Sequence, residues 1–138
     1  MSRMAYLPLS VRREVIRRAH RRCEYCLLHA DYATFAHEID HVLPRKHGGG
    51  DSADNLAYAC AQCNRYKGSD FAAIDPETGE IVSLFNPRTE LWAEHFWLDE
   101  FVVEAITPTG RATMRLLQLN QIDRLLLRQE LYALGRYP

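Results

Sequence analysis

Cys23 and Cys26 share the spacing of Cys60 and Cys63, and the 138-residue chain contains no other cysteine. Two such pairs, with 33 residues between them, can bring four thiolates to one ion. A soft four-sulfur shell selects Zn²⁺, and with no coordination position left open such a site is structural. Disulfides are not expected. Arg12, Arg13, Arg17 and Arg18 interrupt any apolar run that would serve as an export signal, so a cytoplasmic protein with reduced thiols is the expectation. A redox role for either pair lacks the βαβ context of a thioredoxin-like protein.

A second group of reactive side chains lies between the pairs: His37, Asp40, His41 and Asn55, with Asn64 directly after the last cysteine. Hydrolysis of a phosphodiester needs a base for the attacking water, and a neutral histidine suits that task near pH 7. It also needs charge stabilisation at the phosphorus oxygens, which a divalent cation on hard oxygen ligands provides. Adjacent strand residues point to opposite sides, so Asp40 can serve a metal while His41 serves the water. His37 shares a strand face with His41 and is either a supporting partner of the site or a hydrogen-bonded strand histidine. Arg65 and Lys67 are candidates for phosphate contacts, against the commoner alternative of surface cations on a helix. Trp92, Phe96 and Trp97 are more in keeping with core than with base stacking.

The elements that must position these groups are short. Ser10 is a candidate cap for a helix over 11–21, with Val11, Val15, Ile16 and Ala19 on one face. Residues 34–42 have the composition of a strand, broken by Pro44 and by Gly48, Gly49 and Gly50. A returning strand over 55–60 and a helix over 60–67 closed by Gly68 follow. Beyond residue 71, the turn Asp75-Pro-Glu-Thr-Gly79 predicts a hairpin, 96–98 and 101–106 predict two strands, and Gly110 precedes a helix. Asn120 with Asp123 marks the start of the last helix.

Apolar residues make up 47% and charged residues 25%, ordinary globular usage that excludes a disordered chain, and no segment is long enough to span a membrane. The net charge of −1 argues against a nucleic-acid partner until it is divided along the chain. Residues 1–70 balance to +3 and residues 71–138 to −4, and the first 22 residues hold seven arginines against the single acid Glu14. A basic lobe of this kind can hold a phosphate backbone locally. The division suggests a catalytic core over 1–70 and a supporting extension over 71–138.

The run His37-Glu-Ile-Asp40-His41-Val-Leu-Pro, then Gly48-Gly49, Asp54-Asn55-Leu56 and Cys60-Ala-Gln-Cys63-Asn64-Arg-Tyr-Lys67-Gly68, resembles the zinc-supported HNH endonucleases. Phe85-Asn-Pro-Arg88, Trp92-Ala-Glu-His-Phe96 and Thr107-Pro-Thr-Gly-Arg-Ala-Thr113 resemble an extension found in some bacterial members. The resemblance implies an α+β fold: a ββα-metal core with the four-cysteine zinc site, followed by β-hairpins and two C-terminal helices. It implies His41 as general base, Asp40 and Asn64 as ligands of a catalytic Mg²⁺ or Mn²⁺, and Asn55 as the residue that holds the loop orienting His41. The implied products are a 5′-phosphate and a 3′-hydroxyl. Many members carry histidine where this chain has Asn64, and a neutral amide oxygen favours Mg²⁺ or Mn²⁺, held weakly. DNA is the favoured substrate, with RNA still open. The competing reading is a non-catalytic zinc module that binds nucleic acid or a partner protein, and the acidic balance of 71–138 suits a protein-docking surface.

Overall fold

The structure, a computed structural model, describes residues 7–138. Arg3 and the other first positions of the expected core lie outside the described residues.

Helix α1 (Leu9–Arg18) starts one residue before the expected cap. Pro8 occupies the cap position and Ser10 lies inside the helix. Val15 is buried, and the helix ends where His20 and Arg21 adopt left-handed backbone (φ 52° and 61°), turning the chain into the first cysteine pair.

Strands β1 (Glu38–His41) and β2 (Leu56–Ala59) pair antiparallel, with Glu38 opposite Ala59 and His41 opposite Leu56. Helix α2 (Ala61–Lys67) follows at once, so these three elements form the expected ββα unit. β1 is shorter than residues 34–42 because its partner runs out: Cys60 leaves the sheet to cap α2, accepting from the Cys63 N–H at 3.3 Å. A strand without ladder partners has nothing to satisfy its backbone groups.

The extension begins with the predicted hairpin, β3 (Ala72–Ile74) and β4 (Ile81–Ser83), around the Asp75–Gly79 turn. The short helix α3 (Trp92–His95) was not anticipated, and leads into the hairpin β5 (Phe96–Asp99) and β6 (Val102–Ala105). Helix α4 (Pro108–Leu116) contains Gly110 and does not follow it. Thr107 caps it and Pro108 opens it, the pairing that helix starts favour. Glycine is needed at 110 for a different reason: a Cβ there would sit 2.3 Å from the His95 carbonyl oxygen. Helix α5 (Ile122–Ala133) is capped by Gln121 and not by Asn120, whose amide instead bonds the backbone N–H and C=O of Val103.

Two apolar clusters hold the chain together. The smaller joins Val15 of α1 to Ile39, Leu56 and Tyr58 of the β1–β2 sheet. The larger surrounds the four cysteines and draws Phe85, Phe96, Val103, Leu117, Leu131 and Tyr137 from the extension. Residues 71–138 therefore share a core with the cysteine pairs. No helix among the described residues is long and apolar enough to cross a membrane.

Candidate active site and metal centre

Each cysteine pair forms a tight knuckle. The amides of Tyr25 and Cys26 point at Cys23 Sγ, both at 3.4 Å, and Leu27 takes a positive φ of 68° to complete the turn. All four cysteines are unpaired and buried, and their sulfurs lie within 4.8 Å of one another. Cys26 and Cys60 are 3.7 Å apart. Four sulfurs at ~2.3 Å from a tetrahedral ion would be separated by about 3.8 Å, so the donor set fits zinc in chemistry and in spacing. Burial pushes the Cys23 and Cys63 thiols well up. Hydrogen bonds among the sulfurs lower Cys26 and Cys60 instead, so holding all four as thiolates calls for a cation at the centre.

One helical step past Cys63 the character changes. Asp40, His41 and Asn64 border a shared open hollow of about 250 Å³, together with Pro44, Arg45 and Gly68. Strand β1 supplies the first two residues and α2, at the position directly after Cys63, supplies the third, so the ββα unit alone brings them together.

Asp40 is buried. Its Oδ2 accepts from the Tyr25 hydroxyl at 2.7 Å and its Oδ1 from Lys67 Nζ at 3.2 Å. Burial pushes its carboxyl up, opposed by Lys67 and by the Tyr25 hydrogen bond. Lys67 was weighed as a phosphate contact against a surface cation on the helix, and the structure places it at neither surface position. Its ammonium is buried and donates to Asp40, to the His41 carbonyl at 3.0 Å and to the Val42 carbonyl at 3.1 Å. An ammonium has three donors, and these three acceptors use them all. Arg65 stays on the outer side of α2, over the Tyr66 ring.

His41 Nε2 lies 2.8 Å from Asp51 Oδ1, which also accepts from Arg45 Nε at 2.7 Å. Arg45, then His41, hold the Asp51 carboxyl down at about 2. A carboxylate only accepts, so Nε2 carries the proton in this contact. Asp51 was missed by the sequence reading, and only its place at the end of the glycine run hinted at it.

Asn55 makes three bonds to the connecting loop: Oδ1 accepts from Leu43 N–H at 2.9 Å, and Nδ2 donates to Leu43 O at 3.0 Å and Gly50 O at 2.9 Å. Gly49 lets the loop close this far, because a Cβ there would overlap Leu43 O and meet Asn55 Nδ2 at 2.9 Å. Asn64 Nδ2 donates to Glu38 Oε1 at 3.2 Å, which leaves the amide oxygen as its remaining acceptor. Glu38 is thus a second residue that the sequence reading passed over; it stands two positions before Asp40 on β1.

His37 is placed elsewhere. Its Nε2 contacts the Leu28 carbonyl at 2.9 Å and its ring packs on Tyr58, the hydrogen-bonded alternative of the two considered. Trp92 donates from its indole to the Tyr25 carbonyl and Phe96 is core, while Trp97 is exposed.

The model of the HNH endonuclease family matches residues 23–70, the stretch from the first knuckle to just beyond α2. The chain carries an HNH domain. The Septu protein PtuB of Bacillus thuringiensis is 25% identical over 114 residues, covering 78% of this chain and 40% of that protein. The chain thus spans about two-fifths of the relative's length. No solved structure gives a significant match. Asp40, His41 and Asn64, which border the hollow, all lie within the matched stretch.

Proposed function

We propose that the protein is a metal-dependent endonuclease that hydrolyses DNA phosphodiester bonds at the hollow beside α2. The observation that carries the proposal is the shared border of Asp40, His41 and Asn64, three groups able to serve one phosphate, within a domain of the HNH type.

His41 takes the proton of the attacking water. With Nε2 donating to Asp51, the basic lone pair of the neutral ring lies on Nδ1, and Asp51 fixes both the tautomer and the ring plane. Asn55 keeps the loop in place behind His41 through its three backbone bonds. Asp40 and Asn64 hold Mg²⁺ or Mn²⁺. Tyr25 and Lys67 each engage one Asp40 oxygen, and a carboxylate has about four lone-pair sites, so acceptor capacity remains on the hollow side. One carboxylate and one amide, with a lysine close by, make a weak site. When bound, the cation stabilises charge developing on the leaving and phosphoryl oxygens. Arg45, which borders the hollow and is itself bonded to Asp51, and the exposed Arg65 on α2 are the candidates to meet the phosphate backbone. The structural Zn²⁺ of Cys23, Cys26, Cys60 and Cys63 takes no part in the reaction.

Supercoiled plasmid incubated with the protein and Mg²⁺ or Mn²⁺ tests this, beside a His41→Ala variant and a chelator control. Nicking by the wild type that drops by about 10²–10⁴ in the variant is expected. No nicking by the wild type, or equal nicking by both, refutes the proposal. Salt-sensitive DNA retention without cleavage would then favour the non-catalytic zinc module.

A further inference from the structure

Helix α5 carries two buried arginines, an uncommon sight for a residue type that is almost never buried unpaired. Arg128 is accounted for by oxygen acceptors: the carbonyls of Phe101 and Leu119 and the side chain of Asn120. Arg124 is different. One guanidinium nitrogen donates to the carbonyls of Leu117, at 2.7 Å, and Gln118, at 3.1 Å. The other points into the cysteine cluster, 2.8 Å from Cys63 Sγ and 3.7 Å from Cys60 Sγ. No carboxylate pairs with Arg124 among the described residues, so the sulfurs are its anionic partners. The sulfurs thus supply Arg124 with the counter-charge that offsets the burial of its guanidinium.

The sulfurs in turn need the cation. Four thiolates around a divalent ion carry a formal charge of about −2, placed here in a dry core. N–H donors from the two knuckles soften that charge, but they are neutral. Arg124 is the one full positive charge that touches the sulfurs among the described residues, and it arrives from the far end of the chain.

The geometry points to Arg124 as an outer partner of the zinc tetrathiolate, so that zinc and helix α5 stabilise each other's placement. Linkage then works both ways: metal docks the helix, and the docked helix tightens the metal. Tyr137, just beyond α5, adds to the clamp by donating from its hydroxyl to the Cys26 carbonyl at 2.7 Å. The extension is by this account part of the metal site. The inference stands on the cysteine cluster alone and does not require the nuclease reading.

The test uses the full chain, wild type beside Arg124→Met, which keeps length and loses charge, and Arg124→Lys, which keeps charge and loses the fork. Zinc is withdrawn with a chromophoric chelator. Arg124→Met is expected to release it with an affinity about 10- to 100-fold weaker than the wild type, with Arg124→Lys between them. In cobalt(II)-loaded protein, loss of the N–H to sulfur bond raises the sulfur electrons, so the sulfur-to-cobalt charge-transfer band moves to lower energy in Arg124→Met. At saturating zinc, amides of α5 exchange faster in that variant while those of β1 and β2 keep their protection. Wild-type zinc affinity together with an unmoved band in Arg124→Met overturns the inference. Should that variant not fold, Arg124→Lys decides: a lower-energy band upholds the contact, and an unmoved band with wild-type affinity removes it.

Discussion

The two ends of the HNH domain are built on the same short helix and behave as opposites. Cys63 and Asn64 are neighbours on α2, yet one faces a buried shell of sulfur and the other an open hollow of about 250 Å³. At the sulfur end every donor is committed: four thiolates, the knuckle amides and Arg124. At the hollow end the groups are held by their backs. Asn55 grips the loop, Asp51 grips His41, Glu38 grips the Asn64 amide, and Tyr25 with Lys67 grips Asp40. A structural metal wants a closed shell, and a reacting one wants an open position. A helix of seven residues separates these demands by a single step along the chain.

That contrast breaks first at the sulfur end. Cys63→Ser, or exhaustive zinc removal, should abolish the cooperative thermal transition seen by circular dichroism, because structural zinc supplies about 10–16 kcal/mol in small domains. A chain that melts normally without zinc would show that the cysteine cluster is not the keystone.

Next in size is the buried pair behind the hollow. Asp40→Ala leaves the Lys67 ammonium uncompensated in the core and should cost about 3–5 kcal/mol in urea unfolding. Adding Lys67→Met should recover part of that loss without restoring any cleavage. Additive losses would mean that the two residues do not act as a pair.

Asn55→Ala removes bonds to Leu43 and Gly50, and about 1–3 kcal/mol of stability with faster amide exchange over residues 43–50 is expected. Cleavage should fall by more than the unfolded fraction explains, since the loop sets the place of His41. Unchanged exchange in that loop would remove Asn55 from its positioning role.

The smallest effect lies farthest from both ends. Asp75 is buried in the β3–β4 turn and holds Arg111 with both oxygens, each at 2.9 Å. Arg111 keeps its carboxyl well below the usual carboxylate range. A carboxyl depressed on folding stabilises the protein above its unfolded value of about 3.9, and that contribution is lost as pH falls through the lower folded value. The wild type should thus lose melting temperature steeply only in strong acid. Asp75→Asn should melt lower at pH 7 and show a shallower acid loss; identical acid profiles would contradict the pairing.

Much of the hollow end was legible in residue order, because the ββα unit is local: the strand, the loop and the helix that carry Asp40, His41, Asn55 and Asn64 span only residues 38–67. The four-cysteine cluster was legible from the repeated spacing of its two pairs. What escaped the sequence was partnership across distance. Lys67 looked like a surface cation, since nothing local tells that its face of α2 packs beneath β1. Asp51 was not singled out, because a glycine run hides where its end returns. Arg124 carried no signal at all: 61 positions separate it from Cys63, and only the fold brings a C-terminal helix onto an N-terminal metal site. The start at 9 follows Pro8 and leaves Ser10 inside the helix, while Thr107 and Pro108 together set the start at 108, ahead of Gly110.

The claim of two unlike metal ends on one helix is tested most directly by titrating Mn²⁺ into zinc-loaded protein and following free Mn²⁺ by electron paramagnetic resonance. One weak Mn²⁺ site is expected per chain, lost in Asn64→Ala while the zinc content stays the same. Equal Mn²⁺ binding by wild type and variant, or no binding by either in the presence of DNA, would contradict the hollow as the reacting end.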